Sequence, residues 1–332
     1  MRALVYGGPW KLTVEDRPDP VPGPGEALVR VIATGICGSD LHGFTGENGR
    51  RFPGMVMGHE TVGKVVDVGP DTPAPQGDVV TFNPVLSCGS CPTCTSGVSY
   101  RCPQRRIIGV TPDISAAFAD LVVAPVANLV RLSPSIPPEL GALVEPLAVG
   151  RHALGRAGVL DGMDLLVVGG GPIGQAVALA AATSAAGSVA VSEPTPSRRD
   201  LLAALDLTPI DPGGSSAPAD ASADVVIDAV GSSGSIGAAL AACRPGGCVV
   251  LVGMHEPQLT VPAYLVSVDE RSVIGSFCYA HDDLVAAAAA VEADPTRYGR
   301  LIEGRVGVEE APAAFAALAR GELAASKVLV EF

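Results

Sequence analysis

Short apolar runs separated by turn residues dominate roughly the first 145 positions. Ala-Leu-Val-Arg-Val-Ile at 27–32, Gly-Lys-Val-Val-Asp-Val-Gly at 63–69 and Asp-Val-Val-Thr-Phe at 78–82 are typical. Brief β-branched runs at this spacing predict an all-β, barrel-like unit. The opening residues break at Gly7-Gly8-Pro9 after a few apolar positions. That predicts a first strand and turn, not the apolar core of a signal peptide. From about Leu147 the rhythm changes. Strand-like runs at 165–168, 188–192, 225–229 and 248–252 alternate with Ala-rich stretches of helical length. Such alternation predicts a parallel sheet with right-handed crossovers. After about Ala288 one helix, 311–320, and one closing strand, 327–332, remain. A tail this short is expected to return and complete the first unit. The predicted fold is α/β, with a β-rich unit over 1–147 and 289–332 and a doubly wound unit over 148–288.

One stretch, 165–192, carries no charged residue and is long enough to span a bilayer. Its apolar content is mostly Ala, and Gly169, Gly170, Gly171, Pro172 and Gly174 interrupt it near the start. It parses as strand, glycine turn and buried helix, so no membrane span is expected and the location is taken as cytoplasmic. Composition narrows the partners. The 332 residues carry a formal net charge of −13, which repels phosphate backbones and anionic membrane surfaces and excludes nucleic acid as a main partner. Hydrophobic residues at 48% against 17% charged provide for a large core. The 8 cysteines are too few and too clustered for a disulfide scaffold.

Val167-Val168-Gly169-Gly170-Gly171-Pro172-Ile173-Gly174 reads as strand, G-x-G-x-x-G and helix start. The first glycine permits a tight turn, the second a close approach to a pyrophosphate, and the third close helix–strand packing. Gly169, Gly171, Pro172, Ile173 and Gly174 are therefore candidate dinucleotide contacts in a Rossmann-type unit. A second strand ends at Glu193, about 20 residues on, where an acid binds adenosine ribose hydroxyls and repels a 2′-phosphate. NAD is favoured over NADP on this ground, although Arg198 and Arg199 nearby would suit NADP. The plainer reading of Glu193 is a solvated charge at a strand end.

Cys88-x2-Cys91-x2-Cys94-x7-Cys102 is the sharpest signal in the chain. Four thiolates at short spacing, with Gly and Pro between them, can wrap a tetrahedral ion in a closed site. Structural zinc is the leading assignment; iron–sulfur ligation and surface disulfides are the alternatives. A second constellation is more open. Cys37 in Gly35-Ile36-Cys37-Gly38-Ser39-Asp40-Leu41-His42 and His59 in Gly58-His59-Glu60 would, with a carboxylate, give three ligands and one free position, as a catalytic zinc requires. Taken singly, each has a dull explanation: a small buried thiol and a structural imidazole.

These motifs, together with Val144-Glu145-Pro146-Leu147-Ala148, occur in the order found in the zinc-dependent medium-chain alcohol dehydrogenases, which the chain resembles over essentially its full length. The resemblance implies a GroES-like catalytic domain, a Rossmann cofactor domain and two zinc ions per chain. It implies Cys37 and His59 as catalytic zinc ligands, with Glu60 or Glu145 as the third, directly or through water. Glu145 stands where many members have a second cysteine, as in the sorbitol, butanediol and threonine dehydrogenase branch. Ser39 would receive the alcohol proton, and His42 would carry it towards solvent through the nicotinamide ribose. Val230, the Val252-Gly253 stretch and Phe277 would touch the cofactor, and Phe44, Met55, Met57, Phe118 and Phe277 are candidate apolar lining.

Two departures bear on the substrate. Sorbitol dehydrogenases have Tyr after the equivalent of His42 and Arg after the equivalent of Phe277; this chain has Gly43 and Cys278. Losing both polar anchors weakens a long sugar alcohol and draws the chain towards butanediol-type members. The implied activity is NAD-dependent oxidation of a secondary alcohol, diol or polyol-like compound, or reduction of the matching ketone, by a homodimer or homotetramer. The rival readings are a zinc-free quinone-type reductase and a zinc-stabilised nucleotide-binding protein without activity.

Overall fold

The structure, a computed structural model, describes every residue except 48, 74, 75, 216 and 324. The chain forms two compact units. One comprises Met1–Glu145 with Ala280–Phe332, the other Pro146–Tyr279.

In the first unit the strand Glu26–Gly35 is the hub. It pairs antiparallel with Glu60–Val68 on one side and with Lys327–Glu331 and Leu121–Pro125 along the other. Its alternation of buried Ala27, Val29 and Val31 with more exposed neighbours sends one face into a core shared with Phe82, Ile108 and Val122. The seven-stranded sheet, counted among the described residues, continues through Ile302–Gly307 at one end and through Val79–Phe82 and Leu129–Arg131 at the other. The closing strand is pulled in because Val328, Leu329 and Val330 are at most 2% exposed. It lies parallel to Ile302–Gly307 and antiparallel to the hub strand, with Leu329 opposite Gly35.

A second core cluster seats the helix Gly38–Thr45. Phe44 on that helix and Phe118 both meet Phe315 of the helix Ala311–Ala319 edge to face, with ring centroids 5.7 and 5.4 Å apart. The helix His281–Ala293 also falls in this unit, where Glu292 accepts the Ser133 backbone N–H at 2.6 Å.

The second unit is built on a six-stranded, all-parallel sheet in the order Thr208–Ile210, Ser188–Ser192, Asp164–Val168, Ala223–Asp228, Cys243–Leu251, Ser272–Gly275. Sequence order therefore reverses between Asp164–Val168 and Ala223–Asp228, the point at which doubly wound sheets open a ligand crevice at their carboxyl ends. The uncharged stretch resolves into a five-residue strand, a turn and the ten-residue helix Pro172–Ala181. Among the described residues no helix is long and apolar enough to cross a membrane.

The turn depends on glycine. Gly169 has φ +95°, and a Cβ on Gly174 would lie 1.8 Å from the Gly169 carbonyl oxygen. Gly174→Ala is therefore expected to lower the unfolding free energy by more than about 2 kcal/mol, since backbone must give way. Gly155→Ala, where a Cβ meets nothing within 4 Å, should be neutral or stabilising by up to about 1 kcal/mol. Urea denaturation of both variants checks the contrast; equal losses would show that the turn tolerates a methyl group.

Candidate active site and metal centres

Cys37 caps the helix Gly38–Thr45 at its start, and Asp40 in the first turn accepts the Cys37 N–H at 3.2 Å. His59 and Glu60 come from the start of the neighbouring strand, which the hub pairing brings alongside through Gly35 opposite Glu60. Donor atoms of Cys37, His59 and Glu60 all lie within 4.8 Å of one another. Glu145, in the helix Val144–Arg156, is 7% exposed and lies outside that triad, although its charge acts on His59.

Burial disfavours a charged His59, but Asp40 and Cys37 outweigh it and hold its pKa well above the usual imidazole value. Its Nδ1 is buried with no hydrogen-bond partner and lies 3.7 Å from Asp40 Oδ1. The opposite side of the ring interacts with the Cys37 sulfur. Thiol, imidazole and carboxylate gathered within 4.8 Å are the donor set of zinc. They fit a catalytic ion.

Three charged residues at this site have no role in the sequence-based reading. Asp40 is fully buried, and burial raises its pKa against the opposing pull of His59 and Arg51. Arg51 lies behind it, 2% exposed at the side chain. Lys327, from the closing strand, donates to Glu60 Oε2 at 2.5 Å and to the Ile36 carbonyl at 3.3 Å. Burial works against the charge on Lys327, and Glu60 and Cys37 more than offset it, so its pKa stands above the ordinary lysine value. Gly35 leaves room for this pair, because a Cβ there would lie 2.3 Å from Glu60 Oε2. A lysine at the head of the apolar run Val328-Leu329-Val330 was the only signal available for the pair.

Ser39 is exposed on the same helix, and His42, one turn on, is half-buried with Nδ1 at 2.8 Å from Glu47 Oε2. Phe44, Met57 and Phe118 are at most 2% exposed and belong to the core cluster, so they line no site; Met55 is 8% exposed, and Phe277 is exposed in the second unit.

The cysteine lobe is a separate centre. Sulfur atoms of Cys88, Cys91, Cys94 and Cys102 stand 3.5 to 3.9 Å apart in the four recorded pairs, and none is in a disulfide. Four sulfurs at about 2.3 Å from a tetrahedral zinc would be about 3.8 Å from each other. The backbone N–H groups of Ser90 and Cys91 bring the Cys88 thiol down to about 6. The lobe fits a closed, structural ion.

In the second unit the expected dinucleotide residues follow the carboxyl ends of the parallel strands. Gly171 begins the helix Pro172–Ala181, with Pro172 and Ile173 in its first turn. Glu193 is 2% exposed; its carboxylate accepts N–H groups of Gly170 and Thr195, each at 2.8 Å. Arg198, 39% exposed, stands 3.8 Å from it. Val230 packs on Gly169, and Val252 and Gly253 donate to the Asp228 carbonyl beside it at 3.0 and 2.9 Å.

The family model for the alcohol dehydrogenase GroES-like domain matches residues 23–134, and that for zinc-binding dehydrogenases matches 172–293. L-galactonate-5-dehydrogenase of Escherichia coli (strain K12) is 33% identical over 285 residues, 83% of either chain. D-xylulose reductase A of Aspergillus niger is 32% identical over 338 aligned positions, covering 96% of this chain and 94% of its own. Among solved structures, an alcohol dehydrogenase from Thermus sp. ATN1 superposes with a TM-score of 0.87 at 28% identity, covering 100% of this chain and 99% of its own. A proposed zinc-binding dehydrogenase from Sinorhizobium meliloti 1021, bound to NADP, gives 0.89 at 28% identity with the same coverage.

Removing one thiol from the lobe tests its part in folding. Cys91→Ser should lower the thermal midpoint and the bound zinc by one ion per chain, because affinity for a structural ion is folding free energy. An unchanged midpoint and zinc content, by calorimetry and elemental analysis, would show that the lobe closes without metal.

Proposed function

The chain belongs to the zinc-dependent medium-chain alcohol dehydrogenase family, and from that premise we propose that it transfers a hydride between a secondary alcohol, diol or polyol-like compound and NAD. It is an oxidoreductase acting on CH–OH groups. The observation that carries the reading is the gathering of Cys37, His59 and Glu60 within 4.8 Å, apart from a closed four-thiol centre. Cys37 and His59 would hold the catalytic ion with Glu60 or Glu145 as the carboxylate, and Cys88, Cys91, Cys94 and Cys102 the structural one.

A zinc ion there supplies Lewis acidity to a hydroxyl group, and bound NAD supplies the hydride acceptor. The chain's own residues do the rest. Ser39, exposed at the start of its helix, receives the hydroxyl proton, and His42, on the same helix face, passes it to water. Glu145 and Glu60 keep the site anionic, which favours a divalent cation, while Lys327 prevents Glu60 from being an uncompensated buried charge. Gly169, Gly171, Pro172, Ile173 and Gly174 present the helix N-terminus to the pyrophosphate. Glu193 retains lone pairs beyond the two backbone bonds, and its negative charge supports ribose hydroxyls over a 2′-phosphate. Val230, Val252, Gly253 and Phe277 would contact the nicotinamide half, with Arg198 over the adenosine half. Association with a second copy would use the edge strand Ser272–Gly275, where Val273 is 43% exposed.

Turnover followed by reduced-nicotinamide absorbance over a panel of alcohols, with NAD and with NADP, tests the reading. Cys37→Ser and His59→Ala should each lower kcat by at least about 10³-fold, the loss of several kcal/mol of charge stabilisation, with far-ultraviolet circular dichroism unchanged. A wild type inactive on every alcohol, or a Cys37→Ser variant at full rate, would return the choice to the nucleotide-binding or zinc-free readings. Glu193→Ser should move the NAD-to-NADP preference towards NADP; an unmoved ratio would remove Glu193 from the ribose site.

A further inference from the structure

Three buried polar atoms meet behind the catalytic ligands without a hydrogen bond among them. Asp40 Oδ1 lies 3.7 Å from His59 Nδ1 and 3.7 Å from Arg51 Nη2, and none of the three has a hydrogen-bond partner. The side chains of Asp40, His59 and Arg51 are 0%, 8% and 2% exposed. A carboxylate on the outer nitrogen of a metal-binding imidazole is a general device for orienting the ring. The guanidinium of Arg51 lies on the far side of that carboxylate and is buried with it.

Arg51 reaches that place because residue 43 is glycine. A Cβ on Gly43 would stand 2.6 Å from Arg51 Cγ and 3.0 Å from its Nε. An arginine buried with two unsatisfied nitrogens is costly unless the charge is used. Asp40 needs it. Without a cation behind it, this fully buried carboxylate would face His59 alone among the neighbouring acids, Glu60 included.

We propose that Arg51 is a positioning residue for the catalytic metal. It fixes the Asp40 carboxylate, which in turn holds His59 Nδ1 and so keeps the opposite ring nitrogen turned to the Cys37 side. Gly43 is the permissive half of the device. The inference rests on the reading of Cys37 and His59 as metal ligands.

The test counts zinc in the purified, zinc-loaded protein as it is dialysed against a chelator, with the four-thiol lobe as the internal reference. Wild type should start with two ions and release them in two phases. Arg51→Met, which keeps the stem and removes the charge, should release the catalytic ion about 10- to 100-fold faster and leave the lobe phase unchanged. Arg51→Lys should fall between the two. Gly43→Ala should behave like Arg51→Met with the arginine still present, and these last two variants carry the test if Arg51→Met does not fold. Release of both ions at wild-type rates, or equal acceleration of both, would make Arg51 a packing residue and overturn the proposal. A wild type that holds one ion would overturn the metal assignment itself, and the inference with it; two ions and an unaltered variant overturn the role of Arg51 alone.

Discussion

Negative groups crowded together out of water set the terms for the first unit. Cys37 and Asp40 share one helix start, Glu60 opens a strand and Glu145 lies in a later helix, and Asp40, Glu60 and Glu145 are each at most 7% exposed. Desolvating carboxylates side by side is unfavourable unless cations stand among them. The protein provides Lys327 against Glu60 and Arg51 against Asp40, at 2.5 and 3.7 Å. The backbone follows from that arrangement. Gly35 and Gly43 are glycines because the charged side chains need the space a Cβ would take, and the closing strand enters the sheet with its lysine facing inward.

The two candidate metal centres differ for reasons that lie in their surroundings. The four-thiol lobe is local: its sulfurs span 15 residues of chain, with Gly89 and Gly97 in left-handed backbone (φ +71° and +85°) to wrap the loop. Every sulfur faces another sulfur, which leaves no direction for a substrate to approach. The second centre is assembled from distant strands and a helix start. Its donors are mixed, and buried charged residues lie against them. A closed site resists exchange and holds a fold; an open one admits chemistry.

Much of this was legible in the amino-acid order because the signals are local. The Cys-x2-Cys-x2-Cys spacing, the glycine turn before Pro172 and the switch from strand-and-turn to strand-and-helix rhythm need only neighbouring residues. The return of the last strand to the first unit was also readable, from a tail too short to stand alone. What sequence reading missed is long-range. Lys327 and Glu60 are 267 positions apart, and nothing near either names the other. Asp40 sits inside a recognised motif, yet its function depends on Arg51, whose seat depends on Gly43. Phe44, Met57 and Phe118, candidate lining with core as the plainer reading, are core, and Phe315 of a late helix packs against two of them.

The interrupted order of the first unit has a temporal side. A ribosome delivers the hub strand Glu26–Gly35 early, and the whole of Pro146–Tyr279 emerges before the strands that complete its sheet. Until residues 302–331 are made, one edge of that hub strand lacks its partner and Glu60 lacks its lysine. The parallel unit, contiguous in sequence, is free to fold during this wait. The last strand to be made thus brings both the missing edge pairing and the charge that offsets Glu60, so the electrostatic balance of this region is completed only at the end of synthesis.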